Sequence, residues 1–387
     1  MKISRPASLF AILSLLASLV VGFNAANAAG NPNCNAVDGN YIVSFAPGVN
    51  VDNEIKGAPG RAINTKYRYK SALNGFAASL TAEQVCAFQK RPNIQDVELD
   101  GVVSIDTTQT GATWGLDRID QASLPLSSTY TYGSTGTGVT AYVIDTGILL
   151  SHSEFGGRAV WGTNTTGDLQ NTDCNGHGTH VSGTIAGQTY GVAKSADLVA
   201  VKVLGCTGSG SWSGVISGIN WVIDNHKTGK AVANLSLGGS ASSTIDTAIN
   251  YLVDDGVVTV VAAGNDGRDA CKSSPARAPK AITVAASDIN DRLASFSNHG
   301  KCVDVIAPGV GITSSINTGV DYSATWNGTS MASPHVAGAI ARFIQNNSWT
   351  TVGTLPTTLF TSNKIALSSA AKSSGTPNKL IYADPAN

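Results

Sequence analysis

The sequence predicts an α/β protein: a doubly wound, mostly parallel sheet with helices on both faces, preceded by a small α+β unit. Two observations predict it: short apolar runs alternate with longer amphipathic ones after Trp114, and the pattern before that residue is different. The predicted strands are 139–144, 197–204, 231–237, 257–263, 281–286 and 303–307. The predicted helices are 176–187, 213–226, 243–255 and 330–345. Nearly continuous apolar strands that alternate with helices are typical of a parallel sheet buried on both faces.

The preceding unit extends from about Gly30 to Asp106. Its short apolar runs predict strands at 41–45, 75–80, 97–99 and 102–105, and 81–89 has a helical pattern. The segment 107–113 that follows is polar and has no apolar periodicity, so we expect an exposed linker or cleavage site there. A chain of 387 residues is long enough for a small unit of this kind and one large domain.

The composition excludes two classes of partner. The formal net charge is −1, only 13% of the residues are charged, and no block of Lys or Arg occurs. Nucleic acids and anionic membranes require a basic patch, so neither is an expected partner. A hydrophobic fraction of 42% is that of an ordinary globular core.

The N-terminus has the pattern of a signal peptide over residues 1–28. Lys2 and Arg5 precede an apolar run from Leu9 to Phe23, and the small residues Ala26-Asn27-Ala28 end it. A retained membrane anchor is the alternative, although Ser14 and Ser18 interrupt the run. The sequence therefore predicts a secreted protein without a membrane partner after cleavage. The even number of cysteines, six, fits an oxidising compartment and leaves their pairing open.

Three motifs carry candidate catalytic groups, and each has a simpler interpretation by itself. Asp145 ends the first core strand and could be a turn or capping residue. His177 and His180 lie at a helix start, where zinc binding is the alternative, although the motif lacks the Glu and the spacing of a zinc-protease helix. His180 is better interpreted as a buried, hydrogen-bonded core histidine. Ser330 stands at another helix start and could be a simple N-cap.

Together the three residues meet the needs of nucleophilic catalysis. A serine hydroxyl is a weak nucleophile that requires an adjacent base, and the base requires a third group that orients it. Ser330, His177 and Asp145 would fill these roles. Their order along the chain is Asp, His, Ser, and Ser330 lies in Gly-x-Ser-x-Ala, which disfavours an esterase of the α/β-hydrolase fold.

These motifs resemble those of the subtilisin-like serine proteases, in particular the proteinase K branch with its aqualysin-like members. The resemblance covers nearly all of 114–380 and includes Trp114-Gly115-Leu116-Asp117-Arg118-Ile119-Asp120 and Ala262-Ala263-Gly264-Asn265. It implies a subtilisin-like peptidase domain at 107–387 and broad-specificity endopeptidase activity on proteins and peptides. It also implies that Asn265 and the Ser330 backbone N–H bind the oxyanion. An inactive binding protein and a narrow-specificity processing protease remain the alternatives.

The resemblance also implies where a substrate binds. The segments 208–212 and 236–238 would hold an extended peptide by strand addition. The pocket for the residue before the scissile bond would lie between 236–238 and 262–264, whose residues are small or apolar. Because these segments contain no acidic residue, we expect an apolar or aromatic preference there. Trp212 is equally well interpreted as a packed surface aromatic. The implied substrate-binding residues are Gly208, Gly210, Trp212, Ser236, Leu237, Gly238, Ala262 and Gly264.

Further expectations follow from the same resemblance. It implies the disulfides Cys174–Cys206 and Cys271–Cys302, which leaves Cys34 for Cys86. It suggests a structural calcium held by the carbonyls of Pro279 and Ala281 and the carboxylate of Asp304, with a surface carboxylate as the alternative, and no organic cofactor. Residues 30–106 would be an inhibitory prodomain that the enzyme cuts near Asp106-Thr107, and so would be its intramolecular inhibitor. We expect a monomer.

Overall fold

A computed structural model describes residues 34, 36–100, 107–347 and 356–385. The predicted signal peptide, 1–28, and the predicted strand at 102–105 lie outside these residues. The chain forms two compact units, 1–102 and 103–387. Within the described residues, no helix combines the length and the apolar character that crossing a bilayer requires.

The N-terminal unit is an antiparallel sheet with two helices. Its elements are β1 (Gly39–Phe45), α1 (Val51–Lys56), β2 (Thr65–Tyr69), β3 (Asn74–Leu80), α2 (Ala82–Gln89) and β4 (Ile94–Leu99). The strand order is β2-β3-β1-β4. Tyr41, Val43 and Phe45 alternate with less buried residues on β1 and pack with Phe76 and Phe88. The expected small α+β unit is therefore present.

The C-terminal unit begins with a strand where the sequence predicted a linker. β5 (Thr107–Thr110) pairs antiparallel with β6 (Thr129–Tyr132). The expectation of an irregular linker was wrong at 107–110 because it relied on apolar periodicity, whereas threonine favours extended backbone and the ladder hydrogen bonds need no apolar face. The expectation of a cleavage site there stays a prediction. The segment is mostly exposed, as expected.

The other elements of this unit alternate between strands and helices. The strands are β7 (Val139–Asp145), β8 (Ala159–Asn164), β9 (Asp197–Lys202), β10 (Lys230–Leu235), β11 (Gly239–Ser240), β12 (Val258–Ala262), β13 (Ser273–Ser274), β14 (Ile282–Ser287), β15 (Val305–Pro308), β16 (Ile312–Ser315), β17 (Ser323–Trp326), β18 (Phe360–Ser362) and β19 (Lys379–Ile381). The helices are α3 (Trp114–Ile119), α4 (His177–Ala186), α5 (Trp212–Asn225), α6 (Ser243–Asp254), α7 (Thr329–Asn346) and α8 (Ser369–Ser373). Short 3₁₀ turns lie at Ser153–Phe155, Ala270–Lys272 and Thr357–Leu359.

The central sheet has the order β18-β19-β15-β14-β12-β10-β7-β9-β8 in the part of the chain that is described. All neighbours are parallel except β18 and β19. Val139, Ala141 and Val143 of β7 join one core with α4 and α7, and Tyr142 and Ile144 join a second core with α5 and α6. Both faces of the sheet are covered, which confirms the predicted doubly wound architecture.

This topology brings the candidate residues to one edge of the sheet. Asp145 is the last residue of β7, and the turn after β12 contains Asn265. The carboxyl ends of the parallel strands share this edge, where ligands bind in open α/β sheets. The helices α4 and α7 each start at a candidate residue or beside one, with His177 first in α4 and Ser330 second in α7.

Candidate active site

Asp145 and His177 form a direct hydrogen bond. The Nδ1 atom of His177 lies 2.7 Å from Oδ1 of Asp145, which also accepts the Thr146 backbone N–H at 2.7 Å. Asp145 is fully buried, and its Oδ2 is also buried and has no hydrogen-bond partner among the described residues. A buried carboxylate on Nδ1 fixes the imidazole orientation and leaves Nε2 available to take a proton.

The two histidines of α4 have opposite electrostatic surroundings. Burial lowers the pKa of His177, but the charge and hydrogen bond of Asp145, with a further contribution from Asp173, outweigh it and leave the pKa raised. Burial lowers the pKa of His180 to about 4. The His180 Nε2 atom lies 3.1 Å from the carbonyl oxygens of both Ile312 and Ala324. The interpretation of His180 as a buried, hydrogen-bonded core histidine is confirmed.

Ser330 stands in the first turn of α7, and Ser236 contacts it twice. The Ser330 Oγ donates to the Ser236 carbonyl at 3.1 Å, and the Ser236 Oγ donates to the Ser330 carbonyl at 2.8 Å. The Ser330 hydroxyl is therefore directed toward the Ser236 carbonyl. Gly328, the residue before this helix, has φ 154°.

Asn265 is anchored to the N-terminus of α7. Its Oδ1 accepts the Thr329 N–H at 2.8 Å and the Thr329 hydroxyl at 2.9 Å. The amide oxygen is therefore engaged, and the NH₂ group makes no hydrogen bond to the part of the chain that the structure describes. Gly264, with φ +101°, precedes it, and a Cβ at Gly264 would lie 2.4 Å from the Asn298 side chain. Glycine is thus required there to let the turn after β12 direct Asn265 to this helix.

Two adjoining cavities border these groups. One, of about 640 Å³, is lined by His177, Thr146 and the predicted residues Gly208, Gly210, Trp212, Ser236, Leu237 and Gly238. The other, of about 290 Å³, is lined by Ser330, Asn265, Ala262 and Gly264. Ser236, Leu237 and Gly238 line both, so this segment separates them. All the predicted substrate-binding residues border this cleft. Trp212 also packs against Gly239, so its two interpretations are compatible.

Sequence reasoning missed a charged pair in the smaller cavity. Asp266 and Arg268 line it beside Asn265, and Arg268 Nη2 lies 2.9 Å from Asp266 Oδ2. The expectation of no acidic residue considered only the segments 236–238 and 262–264. Both partners are more than half exposed, so the cavity mouth has two opposite charges that nearly cancel. The four residues Asn265 to Arg268 form one turn after β12, and only this turn geometry directs Asp266 and Arg268 into the pocket.

The structure has three disulfides, Cys34–Cys86, Cys174–Cys206 and Cys271–Cys302. Cys34–Cys86 joins the chain before β1 to α2 in the N-terminal unit, and the others close loops of the C-terminal unit. Within the described residues, Asp168 with Cys174 and Cys206 forms the one group of three metal-type side chains, but these sulfurs bond to each other and are not thiolates.

The residues suggested for calcium lie near the start of β14. Oδ2 of Asp304 accepts the Thr283 N–H at 2.8 Å, and Ala281 directly precedes this strand. Burial raises the pKa of Asp304 to about 6. The site therefore disfavours the negative charge, a cost that a bound cation would remove. A carboxylate and backbone carbonyls are also ligands that calcium prefers, so these residues fit the ion.

The fold and the grouping of Asp145, His177 and Ser330 at one edge of its sheet point to a serine hydrolase. The model of the subtilase family matches residues 136–380, and that of the peptidase inhibitor I9 family matches 40–106. The chain belongs to the subtilase family; it is a serine endopeptidase with an inhibitory prosegment.

Individual proteins agree with this assignment. An extracellular serine proteinase of Thermus sp. (strain Rt41A) is 49% identical over 81% of this chain and 76% of its own length. A cuticle-degrading serine protease of Arthrobotrys oligospora is 44% identical over 89% of this chain and 85% of its own. A crystal structure of a cold adapted subtilisin-like serine proteinase is 48% identical, with a TM-score of 0.67 over 71% of this chain and 99% of that one.

Proposed function

We propose that this chain is a secreted, self-maturing endopeptidase of broad specificity whose nucleophile is Ser330, general base His177 and orienting acid Asp145. The observation that carries the proposal is the hydrogen bond between buried Asp145 and Nδ1 of His177, which lines a cavity that adjoins the one lined by Ser330. A histidine that lines a cleft and has its Nδ1 held by a fully buried carboxylate is typical of a catalytic base, because few purely structural roles require this arrangement.

The first step of the reaction is attack by the Ser330 hydroxyl on the substrate carbonyl. The hydroxyl donates to the Ser236 carbonyl in the free enzyme, so it has to give up this hydrogen bond before its proton can pass to Nε2 of His177. His177 takes the proton as the bond forms, and the Asp145 carboxylate stabilises the imidazolium. Such contacts are often loose in free enzymes and tighten when substrate binds.

The carbonyl oxygen becomes an oxyanion in this step. The free NH₂ group of Asn265 and the backbone N–H of Ser330 are the proposed donors, and the N-terminus of α7 favours negative charge. One side-chain donor of this kind contributes about 3–4 kcal/mol, a value that comes from subtilisin, a member of the same family. The intermediate collapses to an acyl-enzyme as His177 gives its proton to the leaving amine, and water then releases the acid by the reverse sequence.

The lining of the cleft supports broad specificity. Glycine-rich backbone at 208–210 and 236–238 can pair with an extended peptide of any sequence, because main-chain hydrogen bonds read little side-chain identity. The pocket formed by Ala262, Gly264 and Leu237 suits an apolar or aromatic residue. Asp266 would otherwise attract a basic residue, and its ion pair with Arg268 reduces that attraction.

The proposal includes secretion and maturation. The pattern at 1–28 and the extracellular naming of the Thermus relative support export, after which 30–106 would act as the inhibitory prodomain and be cut near Asp106-Thr107. A calcium ion held by Asp304 and the carbonyls of Pro279 and Ala281 would stabilise the start of β14. It would have no part in the chemistry.

The test compares the wild-type chain with Ser330→Ala. Removing a triad nucleophile costs on the order of 10⁶ in kcat, so peptide hydrolysis should vanish while circular dichroism stays native. Intact mass should show a wild-type product that begins near Thr107 and a variant that keeps 30–106. A serine-directed inhibitor should label only the wild type. If both proteins hydrolyse peptides and are cut alike, the assignment of Ser330 is wrong.

A further inference from the structure

A second buried carboxylate lies beside the acid–base pair and has no part in the chemistry above. Asp173 is 3% exposed and precedes His177 by four positions. Its Oδ1 accepts the backbone N–H groups of Asn175 and Gly176 at 2.9 and 2.8 Å, and its Oδ2 accepts the Thr179 N–H at 2.9 Å. These bonds satisfy two amides of the loop that leads into α4 and one amide of its first turn, which any good capping residue could do.

Asp173 also accepts two side-chain hydrogen bonds, which helix capping does not require. The Thr146 hydroxyl donates to Oδ1 of Asp173 at 2.9 Å, and the Thr179 hydroxyl donates to Oδ2 at 2.6 Å. The same hydroxyls accept backbone N–H groups, Thr146 from Gly178 at 2.9 Å and Thr179 from Leu149 at 3.0 Å. Asp173 therefore connects the first turn of α4 to the turn that follows Asp145 along two separate paths.

The two segments are also packed too closely to move independently. A Cβ at Gly178 would lie 2.1 Å from the Gly147 carbonyl oxygen, and one at Gly147 would lie 2.9 Å from the Thr172 carbonyl oxygen. Both positions need glycine, because any side chain would separate the turn from the helix. The hydrogen bonds of Asp173 hold this contact in place.

We propose that Asp173 is a positioning residue of the active site, which fixes the turn bearing Asp145 to the helix that begins with His177. The inference rests on the proposed function, because it assigns Asp173 a role only through the Asp145–His177 pair. The 2.7 Å hydrogen bond of that pair then depends on a carboxylate that touches neither the substrate nor the reacting atoms.

The charge of Asp173 gives this role a second, measurable effect. The charged groups that face His177 are Asp145 at the end of β7 and Asp173 in the loop before α4, and both raise its pKa against the effect of burial. The buried ammonium of Lys202 on β9 donates to the Thr146 carbonyl at 2.8 Å, so one cation lies near the pair. His180 on α4 and His335 on α7, each with a pKa lowered to about 4 by burial, are neutral at the pH of the assay.

Three variants of the mature enzyme separate positioning from simple structural support. Asp173→Asn removes the charge and places an amide NH₂ against N–H donors. Thr146→Val removes one path and keeps the charge. Asp117→Asn is the control: Asp117 is 2% exposed and accepts the N–H groups of Ser127 and Ser128, so it supports a loop in the same manner without contact with the pair.

The measurements are kcat and KM after active-site titration, the acid limb of kcat/KM against pH, and the melting temperature. We expect Asp173→Asn to lower kcat by about 10- to 100-fold with KM nearly unchanged, since small misplacement of catalytic groups has effects of this size. Its acid limb should move to lower pH. Thr146→Val should lower kcat by up to about tenfold and leave the pH of the acid limb of kcat/KM unchanged. Asp117→Asn should change only the melting temperature.

The inference is overturned if Asp173→Asn loses stability as Asp117→Asn does and keeps kcat and the acid limb of the wild type. If Asp173→Asn does not fold, Thr146→Val decides: a lower kcat with a native melting temperature supports the inference, and an unchanged kcat overturns it. Activity in Ser330→Ala would instead contradict the proposed function. An inactive Ser330→Ala beside a fully active Asp173→Asn would refute only the role of Asp173.

Discussion

The two units of this chain bury their sheets in different ways. In the N-terminal unit, β1 alternates between buried and partly exposed residues, and its sheet packs one face against two short helices. In the C-terminal unit, β12 and β14 are buried at every residue, because helices cover both faces of the sheet. A sheet covered on both faces removes about twice as much apolar surface per strand from water.

The difference suits the two tasks. A prosegment has to fold, inhibit and then be removed, whereas the peptidase has to persist among proteases. A unit of the size of 30–106 has a core that rarely supplies more than about 3–5 kcal/mol, while a domain several times larger has a wide margin. We therefore expect the same kind of core substitution to unfold the N-terminal unit and only to lower the stability of the C-terminal unit.

Matched core substitutions should produce the largest contrast. Phe88 and Phe155 are both fully buried, one in each unit. Replacing either by alanine should cost about 3–5 kcal/mol through lost burial and the cavity left behind. In the full-length Ser330→Ala chain, we expect Phe88→Ala to abolish hydrogen-exchange protection across 36–100. Phe155→Ala should lower the melting temperature of the C-terminal unit without unfolding it.

That contrast fails if 36–100 stays protected in Phe88→Ala. Retained protection would mean that the small unit has a stability margin its core does not explain.

Disulfide removal tests the same comparison with a smaller effect. Cys34–Cys86 and Cys271–Cys302 span 52 and 31 positions, so the chain-entropy model gives both a contribution of about 4 kcal/mol. In the Ser330→Ala background, replacing Cys34 and Cys86 by serine should expose 36–100 to hydrogen exchange. Replacing Cys271 and Cys302 should leave that region protected and lower the melting temperature of the C-terminal unit.

Equal protection of 36–100 in both double variants would show that its disulfide is dispensable. The small core would then be sufficient by itself.

The smallest effect concerns pH and the C-terminal unit. Asp304 has a pKa of about 6, above its ordinary value of 3.8, because burial disfavours the charged form. The folded state holds this proton where the unfolded chain has lost it, so stability falls as pH rises from about 4 to 6. The loss is at most about 3 kcal/mol and is complete above that window. Thermal unfolding of mature enzyme with a calcium chelator present should show the decline.

Asp304→Asn should make this decline shallower. The substitution should not abolish the decline, because Asp120 also has a pKa raised to about 6 by burial. Calcium added above pH 6 should stabilise the wild type and not Asp304→Asn, because only the ionised carboxylate can bind the ion. An identical pH slope in wild type and Asp304→Asn would refute this explanation.

Much of the fold could be predicted from local patterns. The apolar run 257–263 predicted β12, and the amphipathic run 243–255 predicted α6. A strand buried on both faces is a short continuous apolar run, whereas a half-buried helix repeats its apolar residues every three to four positions. Thr107–Thr110 left no period, since its pairing with Thr129–Tyr132 depends on residues about twenty positions away. Asp266 and Arg268 were missed because a turn, and not a pattern, directs them into the cleft.

The sequence by itself determined which chemistry is possible: an acid, a base, a hydroxyl and an amide donor, each at the end of a strand or the start of a helix. Tertiary structure decided which groups contact one another. Asp173 reaches Thr146 across 27 positions, and the Ser330 hydroxyl reaches the Ser236 carbonyl across 94. Bonds of this kind depend on how strands and helices pack, and their angstrom-scale geometry is set by the close packing of residues remote in the chain.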